Sequence, residues 1–250
     1  MASSLATPPR VVGILGGMGP AAGADFVRLF VQACSEHLRS RELTLSDQAY
    51  PEHWLAQVPV PDRSAALRDT RVGAHQPLEP LLQAMGRLSA LGTRAVAIAC
   101  NTAHAWHGSL QQRFPQMEVL HGVKEVAAEL ARRGVTDVGL LATQGTYDSG
   151  LYPPELAAQG VRCHLPLPDE RERLMTGIYQ GVKGDNLPLA RECFTSVAQA
   201  LQQRHGLSAL IMGCTEIPLA LESADLAGSV ELVDPARLLA RALAARAYAS

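Results

Sequence analysis

The sequence reads as an α/β protein of two pseudo-symmetric subdomains, each a mainly parallel sheet flanked by helices. Three observations lead there. Short apolar runs alternate with helix-length amphipathic stretches along the chain, the pattern of parallel strands and crossover helices. A VGIL run from Val12 returns as VGLL from Val138. The run AVAIACNT, ending in Cys100 and Asn101-Thr102, has a counterpart in ALIMGCT, ending in Cys214-Thr215, and the two pairs keep the same order. The repeat points to two similar units facing each other. They are expected over residues 10–115 with 227–250, and over 116–226.

The elements follow from punctuation and period. Residues 10–15 make a strand that runs into Gly16-Gly17-Met18-Gly19-Pro20 and then a helix over 21–37. The glycines allow a close backbone approach, and the helix start favours a small carboxylate. Pro20 breaks any GxGxxG pattern, and no P-loop Lys-Ser/Thr follows. Residues 42–61 read as a strand followed by a long loop. Asp62 or Ser64 caps the next helix, and Arg63 beside them is either a surface charge or a carboxylate clamp. A helix over 76–91, with Leu78, Leu81, Leu82, Met85 and Leu88 on one face, stops at Gly92. Strands at 95–99, 118–120, 137–141, 162–165, 209–212 and 231–234 alternate with helices at 123–133, 170–182, 187–205 and 235–249. The first ten residues read as a disordered lead-in, with no signal-peptide pattern.

Composition narrows the partners. The net charge of −2, without a Lys/Arg run, argues against nucleic acid. Aromatic content of 4% leaves few platforms for stacking bases. No apolar run approaches the ~20 residues that span a bilayer. The five cysteines, Cys34, Cys100, Cys163, Cys193 and Cys214, are odd in number and form no CxxC, so neither a disulfide framework nor a metal site is expected. Free thiols point to a reducing cytoplasm. Cys34, Cys163 and Cys193 read as small core side chains or incidental thiols.

Cys100 and Cys214 differ, because each follows a buried strand at the carboxyl end, where open α/β sheets bind ligands. Two opposed thiols suit stereoinversion at a carbon next to a carboxyl group. One thiolate removes the α-proton, and the opposite thiol delivers a proton to the other face. Asn101, Thr102, Thr215 and turn N–H groups supply donors for the developing charge. A helix start beyond each cysteine is expected to lower its pKa. His104 and Glu216 either tune these thiols or are, respectively, a helix-surface histidine and a first-turn acid suited to the helix dipole.

GGMGP, PDRS (61–64), ACNTAH (99–104), LLATQGTYDSGLY (140–152), GIYQGVKGDN (177–186) and MGCTEIPL (212–219) occur in this order. Together they resemble the aspartate/glutamate racemase family over nearly the whole chain. The resemblance implies two pseudo-symmetric α/β subdomains with the active site in the cleft between them. It implies racemisation of an acidic amino acid, aspartate or glutamate, without pyridoxal phosphate or any other cofactor, by Cys100 and Cys214 as the acid/base pair. It assigns the side-chain carboxylate to Arg63 and Lys183, taken to come from opposite subdomains. Met18, Asn101, Thr102, Thr143, Thr146 and Thr215 line the α-carboxylate and amino group. A homodimer is expected, with a small-molecule acidic amino acid as ligand and neither nucleic acid nor membrane as partner. The chain departs from the family pattern at Gly23, where Thr is common, and at Ala99, where Pro often stands. Hydantoin racemases, maleate isomerases and malonate decarboxylases share the superfamily. A decarboxylase needs one thiol, and a hydantoin leaves Arg63 and Lys183 without a role. A non-catalytic amino-acid sensor on this scaffold would tolerate loss of either cysteine.

Overall fold

A computed structural model of the chain describes residues 7–69, 71, 76–226 and 230–249. Most of the expected N-terminal lead-in, residues 1–6, and the expected subdomain boundary at 227 lie outside the described residues. In chain order the elements are β1 (Val12–Gly16), α1 (Pro20–Ser40), β2 (His53–Gln57), α2 (Arg63–Arg68), α3 (Leu78–Ala90), β3 (Ala95–Ile98), α4 (His107–Arg113), β4 (Glu118–Val119) and α5 (Gly122–Arg132). After these come β5 (Asp137–Ala142), α6 (Gln144–Asp148), α7 (Tyr152–Ala157), β6 (Arg162–His164), α8 (Pro168–Thr176), α9 (Leu187–His205), β7 (Ala209–Gly213), β8 (Glu231–Val233) and α10 (Pro235–Ala247). Among the described residues no helix is long and apolar enough to cross a membrane.

The chain divides into two units. Unit 1 takes Met1–Pro61, Gln76–Gly122 and Ala236–Ser250; unit 2 takes Asp62–His75 and Val123–Pro235. The chain therefore changes units at the first residues of α5 and of α10, and α2 is an excursion into unit 2.

Unit 1 holds a four-stranded parallel sheet in the order β2-β1-β3-β4. Every residue of β1 and β3 is buried, because helices cover both faces. Val12, Ile14, Ala95 and Ala97 face Phe26, Leu29 and Phe30 of α1 and Leu239 and Leu243 of α10. The alternate residues, Leu15, Val96 and Ile98, face Leu81, Met85 and Leu88 of α3 and Leu110 of α4. The side-chain period of two thus divides one strand between two cores.

Unit 2 repeats the design with the order β6-β5-β7-β8, again all parallel. Its main core joins Leu141, Leu210 and Met212 to Leu174 of α8 and to Phe194, Val197 and Leu201 of α9. The paired runs VGIL and VGLL are the second strands of the two sheets, β1 and β5. The two cysteine runs are the third strands, β3 and β7.

Two expectations change. Over 42–61 the strand comes after the irregular stretch. A 3-10 turn over Asp47–Ala49 precedes β2. Pro51 before the strand and Pro59 and Pro61 after it set its limits, since proline cannot donate to a ladder. The helix expected over 170–182 is α8 followed by a π-helical turn over Gly177–Val182, where the Lys183 N–H reaches back to the Ile178 carbonyl at 3.0 Å. The short helices α6 and α7 fall below the length at which periodicity can be read.

The Gly16–Pro20 loop turns tightly against the exit of β2. Gly17 has φ +91°, and a Cβ there would lie 2.1 Å from the Val58 carbonyl oxygen. One turn into α1, a Cβ on Gly23 would meet Gln57 Oε1 at 2.2 Å. The Gln57 side chain instead donates from Nε2 to the Pro20 carbonyl at 2.8 Å, tying β2 to the start of α1. The departure at Gly23 is therefore matched by Gln57. Gly23→Ala should be close to neutral. It gains about 1 kcal/mol of helix propensity and loses about 1 kcal/mol by displacing the Gln57 hydrogen bond. In a Gln57→Ala background the same change should gain the full increment. Denaturant midpoints of the four proteins test this, and strict additivity would show that the two side chains do not compete.

Candidate functional site

In unit 1 the Cys100 turn follows β3 by two residues. Cys100 is 6% exposed and packs in the core of Leu15, Met18, Ile98 and Ala103. Asn101 and Thr102 beside it are buried as well. The turn continues as a 3-10 helix over Thr102–Trp106 and then as α4. The structure thus brings Met18, Cys100, Asn101 and Thr102 to one end of the sheet, the end expected for ligands.

His104, also buried, stabilises this turn. Its Nε2 accepts from the Gly122 N–H at 3.0 Å. That bond leaves the proton on Nδ1, which donates to the carbonyls of Cys100 at 2.9 Å and Asn101 at 3.1 Å. Both ring nitrogens are committed to backbone groups, and neither hydrogen-bonds to the thiol. Neither reading open for His104 holds: it makes no hydrogen bond to the Cys100 thiol, and it is buried, not on a helix surface, because its ring satisfies backbone groups of the turn. Burial first, then the neighbouring His121 and His107, push its pKa down to about 4, so the imidazole stays neutral at ordinary pH.

In unit 2 the thiol of Cys214, one residue past β7, donates to Glu216 Oε2 at 2.9 Å. Thr215 Oγ1 donates to the same oxygen at 3.3 Å. Glu216 Oε1 faces Lys183 Nζ at 3.9 Å. All of Cys214, Thr215 and Glu216 are buried. Of the readings open for Glu216, the one in which it tunes the thiol is the one the geometry shows. The sign is opposite to the expected helix-start effect. Burial first, then the charge and hydrogen bond of Glu216, hold the Cys214 thiol well above its ordinary pKa. The 3-10 helix beyond it, Ile217–Leu219, is a single short turn and offers little dipole.

Lys183 Nζ sits 4.7 Å above the centre of the Tyr179 ring, four residues back. The Tyr179 hydroxyl donates to Asp62 Oδ2. Asp62 Oδ1 accepts from the Ala65 N–H at 2.7 Å, so Asp62 rather than Ser64 is the cap of α2. The hydroxyl of Ser64 accepts instead from the Gly145 N–H at 3.2 Å and fastens α2 to α6. Thr143 caps α6, accepting from the Thr146 N–H at 3.2 Å, with the two threonine hydroxyls 3.1 Å apart. Arg63 therefore belongs to unit 2, as does Lys183. The expectation that they come from opposite subdomains is corrected: Asp62 and Ser64, on either side of Arg63, bond to residues of the π-helical turn and of α6.

The sequence by itself gives Tyr179 no functional role and Asp62 only that of a cap. The spacing Tyr179-x-x-x-Lys183, a helical i, i+4 pair, is the available signal.

Two results are expected. Glu216→Gln should lower the pKa of Cys214, because it removes the carboxylate charge and keeps the shape. The ultraviolet absorbance of the thiolate against pH, with Cys214→Ser as the blank, measures it. For His104, the pKa of 6.5 in the unfolded chain lies above the folded value of about 4. The stability gained by keeping it neutral is whole above pH 6.5 and drains away as pH falls from there to about 4, by about 3 kcal/mol in all. His104→Gln should be less stable at neutral pH and should show a flatter fall in unfolding free energy over that window. An unchanged slope would mean that His104 titrates alike in both states.

The chain also aligns with known proteins. The sequence profile of the Asp/Glu/Hydantoin racemase family matches residues 15–243. The glutamate racemase of Desulforudis audaxviator (strain MP104C) is 29% identical over 161 residues, 63% of this chain and 58% of that protein. The broad specificity amino-acid racemase RacX of Bacillus subtilis (strain 168) is 21% identical over 232 residues, 92% of this chain and 95% of that one. The solved structure of Picrophilus torridus aspartate racemase superposes with a TM-score of 0.75 at 26% identity, covering 94% of this chain and 92% of the other. Two four-stranded parallel sheets with a cysteine beyond the third strand of each, carried on a chain that matches from 15 to 243, make this protein a member of the Asp/Glu/hydantoin racemase family.

Proposed function

We propose that the chain is a cofactor-independent racemase of aspartate, glutamate or both, with Cys100 and Cys214 as its acid/base pair. The observation that carries the reading is their equivalent placement. Each is a buried cysteine just past the third strand of a sheet, β3 in β2-β1-β3-β4 and β7 in β6-β5-β7-β8. Membership of the family and the names of its relatives support an amino acid as substrate.

The chemistry runs through two thiols because a single base returns a proton to the face it left. In one direction Cys100, as thiolate, takes the α-proton. Cys214 starts protonated and gives its proton to the other face of the carbanion. In the reverse direction the roles exchange. Glu216 suits Cys214 to the acid role, since its charge keeps the thiol protonated and its oxygen holds the S–H in one orientation. Asn101, Thr102, Thr143, Thr146 and Thr215 offer hydroxyl and amide groups to the α-carboxylate and amino group, with Met18 as an apolar wall. Charge building on the α-carboxylate is met by groups already oriented by the fold.

Arg63 and Lys183 favour an acidic side chain over the neutral ring of a hydantoin. Arg supplies a planar fork and Lys a compact charge. Lys183 lies over Tyr179 and beside Glu216, and it is preferred for the anion because the other lysine, Lys124, is solvent-exposed beside Glu155. A homodimer in a reducing cytoplasm is part of the same proposal, and all five cysteines are free thiols.

Incubating the protein with each enantiomer of aspartate and glutamate in D2O should give α-deuteration together with loss of optical rotation. Cys100→Ser and Cys214→Ser should each abolish two-way racemisation, because a hydroxyl is several pKa units less acidic than a thiol. A serine variant that racemises near the wild-type rate would sink the two-base mechanism. Arg63→Ala and Lys183→Ala should each erode the preference for acidic over neutral amino acids.

A further inference from the structure

Asp62 stands next to the two cations that the proposed function assigns to the substrate side chain. Its carboxylate is fixed twice, by the Ala65 N–H at 2.7 Å and by the Tyr179 hydroxyl. The ring of that tyrosine carries Lys183 Nζ at 4.7 Å from its centre. Arg63 is the next residue in the chain, at the first position of α2. A negative charge held this firmly, beside one cation and bridged to another through a single side chain, does more than cap a six-residue helix. Asn or Ser, both neutral, would cap the helix about as well.

We propose that Asp62 is a specificity-determining residue, a built-in counter-charge that weakens the pull of Arg63 and Lys183 on each negative charge of a bound side chain. This rests on the reading that Arg63 and Lys183 hold the substrate side chain. The charges facing the subsite then balance in a defined way. Arg63 and Lys183 contribute two positive charges. Asp62 offsets part of them from one side, and Glu216, 3.9 Å from Lys183, from the other. The formal charges cancel, so a carboxylate side chain is drawn by the cations it approaches most closely, and each negative charge it carries also meets the repulsion of Asp62. The electrostatic environment agrees: burial acts to raise the Asp62 carboxyl, but the Tyr179 hydroxyl, the Ala65 N–H and the charges of Arg63 and Lys183 outweigh it and hold it below its usual value. Asp62 is thus ionised wherever the enzyme works.

The test removes the charge and keeps the cap. Asp62→Asn and Asp62→Ser both leave an oxygen for the Ala65 N–H. Each variant and the wild type are assayed for racemisation of L-aspartate, with L-asparagine and L-2-amino-3-phosphonopropanoate as competing ligands of side-chain charge zero and about minus two. Both variants should shift the ratio of phosphonate to aspartate affinity upward by about tenfold or more, the scale of one unit charge at close range in a partly buried site. The ratio of aspartate to asparagine affinity should rise by a similar factor, since each added charge feels the same lost repulsion. If both variants fold and racemise aspartate with both ratios within twofold of wild type, Asp62 is only a helix cap and the proposal is overturned. If the wild type neither racemises nor binds aspartate or glutamate, the reading of the subsite itself falls, and the counter-charge with it.

Discussion

The parallel pairing of β3 with β1, and of β7 with β5, is the constraint on which the rest of the structure depends. A parallel pair needs a crossover, and the crossovers lay helices on both faces of each sheet. The central strands are then buried from end to end. A polar side chain cannot enter such a strand without a partner. The first place for one is beyond the carboxyl end, and there the chain is still covered: Cys100 and Cys214 are each 6% exposed. A thiol suits that position. It is small, it tolerates burial, and it can still carry a proton.

Burial then forces every polar neighbour to find a partner, and the two units do so differently. In unit 1 the three backbone groups around the Cys100 turn are satisfied by one imidazole. His104 joins the carbonyls of Cys100 and Asn101 to the N–H of Gly122, the last residue of the unit before the chain crosses over. In unit 2 the thiol itself is satisfied, by Glu216. The likeness of the strands therefore stops just past the cysteines. His104 in unit 1 stabilises a backbone turn, whereas Glu216 in unit 2 adds to burial in raising the proton affinity of a sulfur. Two cysteines that a sequence presents as equals have different partners: the carbonyl of one is held by an imidazole, and the thiol of the other by a carboxylate.

The parts of the fold that were legible in the sequence are those with a period. The runs VGIL, VGLL, AVAI and ALIM sit between helix-length amphipathic stretches, and all four are strands where their composition puts them. The cysteines could be singled out because they break those runs at matching places. The features that could not be read each have a physical reason. Helices α6 and α7 are too short to show a repeat. The π-helical turn after α8 lies close against α9, where a Cβ on Gly177 would meet Phe194 and one on Gly181 would meet Ala190, and the hydrophobic period of the segment does not show it. The direction of the Cys214 shift depends on which of two effects wins, and burial with a neighbouring carboxylate outweighs the dipole of one 3-10 turn. The membership of α2 in unit 2 rests on the Asp62–Tyr179 and Ser64–Gly145 hydrogen bonds, between residues more than eighty positions apart in the chain.

The placement of α2 in unit 2 changes how specificity and proton transfer relate. With Arg63 and Lys183 in the same unit as Cys214, the proposed grip on a side-chain anion and one of the two proposed acid/base groups share a frame. A continuous path of contacts joins them: Asp62 to Tyr179, Tyr179 to Lys183, Lys183 to Glu216, and Glu216 to the Cys214 thiol. Each member of that path alternates in charge or polarity with the next, so each holds its neighbour in place. Lys183 is the shared element. It lowers the thiol's proton affinity while Glu216 raises it, and an anion drawn to Lys183 weakens the first effect. If Lys183 holds the substrate side chain as proposed, its occupation would favour the protonated form of Cys214, the form that would donate a proton. On the proposed reading, an acidic side chain would act on the reaction as well as on binding, and a neutral one would do neither.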